Sequence, residues 1–133
     1  MTDRELIKLA IEAREKAYAP YSRFRVGAVL LGKSGKVYSG CNVENASYSA
    51  TNCAERTAVF KAVSEGEKEF SVIAIVGGGD SIREFCPPCG ACRQVLAEFC
   101  GGDFRVVLGN LEEFKSYSLS ELLPYAFEKK DLE

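Results

Sequence analysis

The sequence predicts an α/β domain of three layers, with helices on both sides of one mixed β-sheet. Helical and extended patterns alternate along the chain, and such alternation is typical of a sheet that is covered by helices. The 133 residues are 47% hydrophobic, so the chain can bury a core of the size expected for one domain. We therefore expect residues 1–133 to form a single domain.

The first element is predicted to be an amphipathic helix. Thr2 or Asp3 can cap its start, and the helix is expected to end near Tyr18 because the residue before Pro20 is biased away from helical angles. Its apolar face is predicted from residues that recur at helical spacing. These residues are Leu6, Ile7, Ala10, Ile11, and Ala13 or Arg14.

A β-hairpin and a polar loop are predicted next. Residues 24–31 form an apolar run, Gly-Lys-Ser-Gly occupies 32–35, and residues 36–43 read as a second strand. Two such runs joined by a short glycine-containing turn indicate a hairpin. Residues 42–52 are polar and are expected to form a loop.

The second half of the chain predicts helices and strands in alternation. Glycines follow several of these elements: Gly66 follows the helix over 54–63, and three glycines follow the strand over 72–76. The strands over 72–76 and 104–108, on either side of the helix over 90–99, should be parallel and joined by a right-handed crossover. The predicted elements are a helix over 54–63, a strand over 72–76, a helix over 90–99, a strand over 104–108 and a short helix over 119–123.

Charge and hydropathy argue against two kinds of partner. The net charge is −2 and the basic residues are scattered among acidic ones, whereas proteins that bind nucleic acid usually carry a basic stripe. There is no apolar run of about 18 residues and no secretory stretch at the N-terminus. We expect a cytoplasmic protein that binds a small neutral ligand and neither nucleic acid nor a membrane.

Three of the six cysteines form a candidate metal site. In a reducing compartment, cysteines point to metal binding or catalysis before disulfides. Cys89 and Cys92 form a Cys-x-x-Cys pair at a predicted helix start, and Cys53 opens another predicted helix. Three protein ligands leave a fourth position on Zn²⁺ for water, which is the catalytic arrangement. The alternative is that the pair consists of two small buried residues.

The absence of histidine excludes several catalytic mechanisms. The chain contains no His, which excludes serine–histidine and cysteine–histidine hydrolase mechanisms. Cys86 and Cys89 also form a Cys-x-x-Cys, but the two prolines between them remove donors and block a helical turn. We therefore predict that Cys86 is not a ligand, and that Cys41 and Cys100 are packed thiols.

Glu55 is the candidate proton carrier. It lies two residues after Cys53, where its carboxylate can face the open side of the metal, accept a proton from water and pass it to a leaving amine. The alternative is a glutamate that the helix dipole favours in a first turn.

These residues resemble the small, homotetrameric cytidine deaminases. The likeness is carried by Cys53-Ala54-Glu55-Arg56-Thr57-Ala58 and by Pro88-Cys89-Gly90-Ala91-Cys92-Arg93-Gln94, which match the zinc deaminase pattern in its three-cysteine form. Further matching blocks lie within residues 20–28, 41–48 and 122–127, so the resemblance covers nearly the whole chain.

The resemblance implies a function, a fold and an assembly. The function is zinc-dependent hydrolytic deamination of cytidine and deoxycytidine to uridine and deoxyuridine plus ammonia, in pyrimidine salvage. The fold is a three-layer α/β/α sandwich with a mixed five-stranded sheet. The assembly is a homotetramer with shared active sites and one Zn²⁺ per subunit, held by Cys53, Cys89 and Cys92.

The resemblance also implies a substrate-binding set. Phe24 would stack on the pyrimidine, Asn42 and Glu44 would bind the ribose hydroxyl, and residues of neighbouring subunits would complete the pocket. The alternatives are a core role for Phe24, a solvated strand face for Asn42 and Glu44, and a tail anchor for Phe127. The implied set is Phe24, Asn42, Glu44, Ala46, Tyr48, Ala54 and Phe127.

Arg56 is expected to compensate charge. Three thiolates and Zn²⁺ sum to a net negative charge, and two helix N-termini offset it only in part, at about half a positive charge each. We expect the Arg56 guanidinium to donate to a metal-bound thiolate, that of Cys89 or Cys92. The alternative is an arginine on the helix surface.

Two rival functions stay open at the level of sequence. One is a related deaminase that acts on a modified cytosine nucleoside or a nucleotide. The other is a zinc-stabilised binding module without catalysis, although such a module has no need of Glu55 and would normally take four protein ligands. The sequence does not decide between ribose and deoxyribose.

Overall fold

A five-stranded β-sheet organises the computed structural model, which describes residues 1–133 throughout. The sheet order is β2-β1-β3-β4-β5. Only β3 and β4 run parallel, and the other neighbours are antiparallel, so the sheet is mixed, as predicted. The strands are β1 (Arg25–Gly32), β2 (Val37–Cys41), β3 (Phe70–Gly78), β4 (Arg105–Gly109) and β5 (Phe114–Ser118).

Four α-helices cover the two faces of this sheet in three layers. Successive strand residues point to opposite faces, so Ile73 and Ile75 of β3 pack with α2 and α3, while Val72 and Ala74 pack with α1. The predicted α/β/α sandwich is therefore confirmed. The helices are α1 (Asp3–Arg14), α2 (Ala54–Ser64), α3 (Gly90–Phe99) and α4 (Leu119–Leu122), with short 3₁₀ turns at Tyr48–Ala50 and Lys129–Leu132.

Helix α1 begins where predicted but ends earlier. Thr2 caps it in a capping box with Glu5, and the last helical residue is Arg14 rather than a residue near Tyr18. The chain leaves the helix because Tyr18 pairs with the segment after β2. Its N–H donates to the carbonyl of Asn42 at 2.9 Å, and its own carbonyl accepts from the N–H of Glu44 at 2.8 Å.

Three strands differ from the sequence prediction by more than one residue. Strand β2 spans Val37–Cys41 rather than 36–43, because Asn42 and Val43 pair with the residues after α1 and with the loop. Gly77 and Gly78 do not close β3 but belong to it, paired with Val26 and Arg25 of β1. Strand β5 was not predicted from local patterns, because its Phe-Lys-Ser-Tyr-Ser sequence has no apolar run and it pairs only with β4 at the sheet edge. With β5, the sheet has the five strands that the resemblance implies.

A close approach fixes the start of α2 on the sheet. Gly40 of β2 lies directly under the first turn of this helix, where a Cβ atom would be 2.4 Å from the carbonyl oxygen of Ala54 and 2.6 Å from the backbone nitrogen of Ala58. Only glycine permits this contact. The first turn of α2, which follows Cys53 and contains Glu55, therefore packs directly against the backbone of β2 at Gly40.

None of the helices combines the length and the apolar character that crossing a bilayer requires.

Candidate active site

Three thiols meet where α2 and α3 begin. Cys53 is the N-cap of α2, Cys89 is the N-cap of α3, and Cys92 lies in the first turn of α3. Their Sγ atoms are 3.7 Å apart for Cys53 and Cys89 and 3.4 Å apart for Cys89 and Cys92, and all three lie within 4.8 Å of one another. Sulfurs in a tetrahedral zinc site, with Zn–S of about 2.3 Å, lie about 3.8 Å apart. The three thiols therefore fit one zinc ion.

The surroundings of the thiol cluster favour a negative charge on Cys53. Each helix N-terminus presents unpaired N–H groups and the positive end of its dipole, which stabilise thiolates. Hydrogen bonding with Cys92 in the first place, and with Arg56 in addition, lowers the pKa of Cys53. The same bond to Cys53, together with burial, raises the pKa of Cys92.

The guanidinium of Arg56 lies on the thiol cluster. Its Nη2 donates to Sγ of Cys53 at 3.3 Å, a partner that the sequence prediction of Cys89 or Cys92 did not include, and hydrogen bonding with Cys92 contributes less to the pKa of Arg56. The reason for the difference is helical spacing, since residues three apart share one side of the first turn of α2. The pKa of Arg56 is raised, first by its hydrogen bond to Cys53, and its Nε is buried without a hydrogen-bond partner.

Glu55 is a buried carboxyl beside the cluster. Only 5% of its surface is exposed, and this burial raises its pKa to about 7, with a smaller contribution from the charge of Cys53. A group that gains and loses a proton near neutral pH suits general acid–base catalysis. The structure thus brings Glu55 and the three predicted ligands together.

Cys86 lies next to this site but outside the thiol cluster. A Cβ at Gly77 would be 2.5 Å from Sγ of Cys86 and 3.2 Å from the ring of Phe24. Burial raises the pKa of Cys86 to about 11, and the charge of Glu55 adds to this. Cys86 therefore lies between the region of Phe24 and that of Glu55, and its Sγ is not among the three sulfurs that lie within 4.8 Å of one another.

The remaining two cysteines are also outside the cluster. Cys41 and Cys100 are both half-buried, and burial raises the pKa of Cys100 to about 12.

Asn42 and Glu44 hold the segment that carries Phe24. The Nδ2 of Asn42 donates to the carbonyl of Phe24 at 2.8 Å, and its Oδ1 accepts from the N–H of Val26 at 2.8 Å. The carboxylate of Glu44 accepts from the N–H groups of Tyr21 and Ser22 at 2.9 and 3.1 Å and from the Ser22 hydroxyl. That hydroxyl bond, above all, lowers the pKa of Glu44. These intrachain partners could not be predicted from the sequence.

The other predicted substrate residues divide between core and surface. Ala54 is fully buried at the start of α2, while Tyr48 and Phe127 are 77% and 58% exposed, and Ala46 is exposed as well. Tyr48 meets Tyr21 edge to face with ring centroids 6.4 Å apart, at a cavity of about 300 Å³ that Glu44 also lines. The carbonyl of Phe127 accepts from Nε2 of Gln94 at 2.7 Å.

One contact near Phe24 has no signal in the sequence. The guanidinium of Arg83 lies over the Phe24 ring, 5.2 Å from its centroid. Arg83 belongs to the loop between β3 and α3, where no local pattern indicates which side chain it meets.

Comparisons with known proteins agree with one another. The family described as "Cytidine and deoxycytidylate deaminase zinc-binding region" matches residues 1–109. A cytidine deaminase of Halalkalibacterium halodurans is 58% identical over 132 residues, covering 98% of each chain, and one of Sporosarcina psychrophila is 51% identical, covering 99% of this chain and 96% of that one. A crystal structure of cytidine deaminase from Burkholderia pseudomallei superposes with a TM-score of 0.87 at 52% identity, covering 96% of this chain and 100% of the other.

Proposed function

This chain belongs to the cytidine and deoxycytidylate deaminase family of hydrolases, and from that membership we propose that it converts cytidine and deoxycytidine to uridine and deoxyuridine with release of ammonia, using one Zn²⁺ per subunit. The observation that carries the proposal is the cluster of three thiols at the starts of α2 and α3 with a buried carboxyl beside it. A purely structural zinc site would normally have a fourth protein ligand and no such carboxyl.

The metal ligands in this proposal are Cys53, Cys89 and Cys92. Their sulfur separations suit zinc, and both helix N-termini stabilise their anionic form. Zn²⁺ held by these three thiolates would acidify a bound water molecule and so supply a nucleophile at neutral pH.

Glu55 is the proposed proton carrier. Its carboxylate accepts a proton from the attacking water, and the resulting carboxylic acid donates to N3 of the cytosine as C4 becomes tetrahedral. Glu55 then takes the proton of the new C4 hydroxyl and delivers it to the exocyclic amine. The C4–N bond breaks as the C4=O bond forms, and ammonia leaves. Burial of Glu55 excludes competing water and strengthens these electrostatic interactions.

The substrate's ribose is proposed to bind Asn42 and Glu44. A carboxylate offers about four acceptor positions, and Glu44 uses three of them within the chain. One position is left for a sugar hydroxyl as donor. The second N–H of the Asn42 amide is likewise free to donate to that hydroxyl, since the first binds the carbonyl of Phe24. The ring of Phe24 supplies a flat apolar surface for the pyrimidine.

Arg56 is proposed to compensate the negative charge of the thiolates. Its bond to Cys53 withdraws charge from that sulfur, which leaves the metal a stronger Lewis acid. The buried and unpaired Nε is a further donor at the same place.

The assembly is proposed to be a homotetramer with shared active sites. Tyr48 and Phe127 are exposed aromatic side chains, as expected for residues that complete a neighbouring subunit's pocket together with Ala46. We place the enzyme in the cytoplasm, where the thiols stay reduced, and assign it to pyrimidine salvage.

The test is the fall in ultraviolet absorbance when cytidine becomes uridine. Wild-type protein should deaminate cytidine and deoxycytidine. The rates of deamination of these two nucleosides are compared with those of their monophosphates. Glu55→Gln should lose about 10²- to 10⁴-fold in kcat while keeping one zinc per chain. Glu65→Gln, at the exposed end of the same helix, is the matched control and should remain active. Lack of stoichiometric zinc, or equal activity of Glu55→Gln and wild type, would contradict the proposal.

A further inference from the structure

The loop between β3 and α3 folds back over the end of the sheet and is held there. The backbone N–H of Arg83 donates to the carbonyl of Gly77 at 2.9 Å. The buried guanidinium of Arg14 donates to the carbonyls of Gly78 and Gly79, where the loop departs from the strand. The backbone of Arg83 is therefore fixed relative to β3, which also fixes the position of its Cα and Cβ atoms.

The side chain of Arg83 contacts the Phe24 ring. Its Cζ lies 5.2 Å from the ring centroid, which is within the distance of a cation–π contact. The Arg83 side chain has no carboxylate within 4.0 Å and forms no hydrogen bond of its own. The guanidinium lies over the aromatic ring, and its charge also acts on the nearby Cys86, whose pKa it lowers against the larger effect of burial.

Two hydrogen bonds fix the backbone of Phe24 but do not act on its ring. Its N–H donates to the Ser22 hydroxyl at 3.0 Å and its carbonyl accepts from Asn42 at 2.8 Å. Neither bond restrains rotation of the ring about its last torsion, for which aromatic residues have only broad preferences. Phe24 is half-buried, with one edge of its ring beside Gly77. The Arg83 guanidinium lies over the ring face, where it can restrict this rotation.

We propose that Arg83 is a positioning residue, which holds the Phe24 ring in the orientation that receives the pyrimidine. A ring that is ordered before the nucleoside arrives reduces the entropy lost on binding. Arg83 acts through Phe24 and takes no part in bond making. The inference rests on the proposed function, because it assumes that this ring stacks on a cytosine.

The first test separates binding from turnover. Arg83→Gln removes the cation and should raise KM for cytidine about two- to fivefold, the range expected for an exposed cation–π contact, with kcat within twofold of wild type. Arg83→Lys retains the charge and should restore part of the lost affinity. Arg23→Asn is the control, because it removes a neighbouring exposed charge at a residue with φ of 59°, which asparagine tolerates. It should leave KM unchanged.

The second test asks whether Arg83 acts through Phe24. In a Phe24→Leu background the contact no longer exists, so Arg83→Gln should have no further effect on KM. A full, additive effect in that background would overturn the proposal, as would an unchanged KM in the single variant or an equal rise in KM for Arg23→Asn.

Direct binding keeps this proposal separate from the proposed function. Cytidine affinity is measured by titration calorimetry in zinc-loaded Glu55→Gln protein, with and without Arg83→Gln. Cytidine binding without any wild-type turnover would reject the proposed catalysis alone. Equal affinity of the two proteins would reject the role of Arg83, whatever the wild-type activity.

Discussion

Replacing Gly40 by alanine tests how the sheet positions the metal ligands. The new Cβ would lie 2.4 Å from the Ala54 carbonyl oxygen and 2.6 Å from the Ala58 nitrogen, whereas ordinary contact begins at 3.4 Å. Both neighbours are backbone atoms of α2 and cannot rotate away. The helix and strand β2 must therefore separate by about 1 Å, and the start of α2 moves with them.

The expected magnitude follows from this displacement. Overpacking of a dense core costs about 1–3 kcal/mol, so the free energy of unfolding should fall by that amount. Cys53 and Glu55 lie at the displaced end of the helix, while Cys89 and Cys92 belong to α3 and stay in place. A misplacement of about 1 Å at reacting groups can cost on the order of 100-fold in rate, so kcat/KM should fall by about that factor.

Three measurements check this prediction. They are urea denaturation, competition for zinc with a chromophoric chelator, and kcat/KM from the absorbance assay. The control is Gly90→Ala at the start of α3, beside Cys89, because a Cβ there meets nothing within 4 Å. It should be close to wild type in all three. The reasoning is refuted if Gly40→Ala keeps wild-type stability and zinc affinity, or if Gly90→Ala is equally impaired.

Other perturbations probe the rest of the framework. Arg14→Met removes a guanidinium, 4% exposed, that donates to three backbone carbonyls, and should lower the free energy of unfolding in urea by about 2–4 kcal/mol; a loss under about 1 kcal/mol would contradict this. The pKa of Glu67 is held low, chiefly by the Ser34 hydroxyl, so its stabilisation is present above the unfolded pKa of about 4.3 and is lost as the pH falls through the folded-state value. Glu67→Gln should therefore be less stable than wild type at pH 7 and should approach it in acid; an equal difference at both pH values counts against the argument. Cys86→Ala should retain full zinc content by atomic absorption, and loss of zinc would reassign the ligand set.

The helices that carry the candidate site could be predicted from local signals. Residues 54–63 and 90–99 have helical periodicity, glycines follow each of them, and the prolines at 87 and 88 prevent an earlier start of α3. Their observed bounds differ by at most one residue from the predicted ones. The positions of the cysteines at helix N-termini could therefore be predicted from the sequence.

Elements that depend on distant partners could not be predicted in this way. Strand β5 has a polar sequence and exists because β4 offers a free edge. Helix α1 stops at Arg14 because Tyr18 pairs with a segment more than twenty residues away. Likewise, the bond of Arg56 to Cys53 and the position of Arg83 over Phe24 depend on side-chain directions that spacing alone does not determine.

Helix α1 covers the side of the sheet that faces away from the thiols. Its buried Leu6, Ile7 and Ala10 pack on Val29 and its neighbours, and none of these residues belongs to the candidate site. The aliphatic residues beneath this helix therefore contribute to stability without contacting the thiol cluster. A protein engineer can exchange aliphatic residues beneath this helix to obtain a hardier catalyst, without redesigning the half of the molecule that recognises the nucleoside.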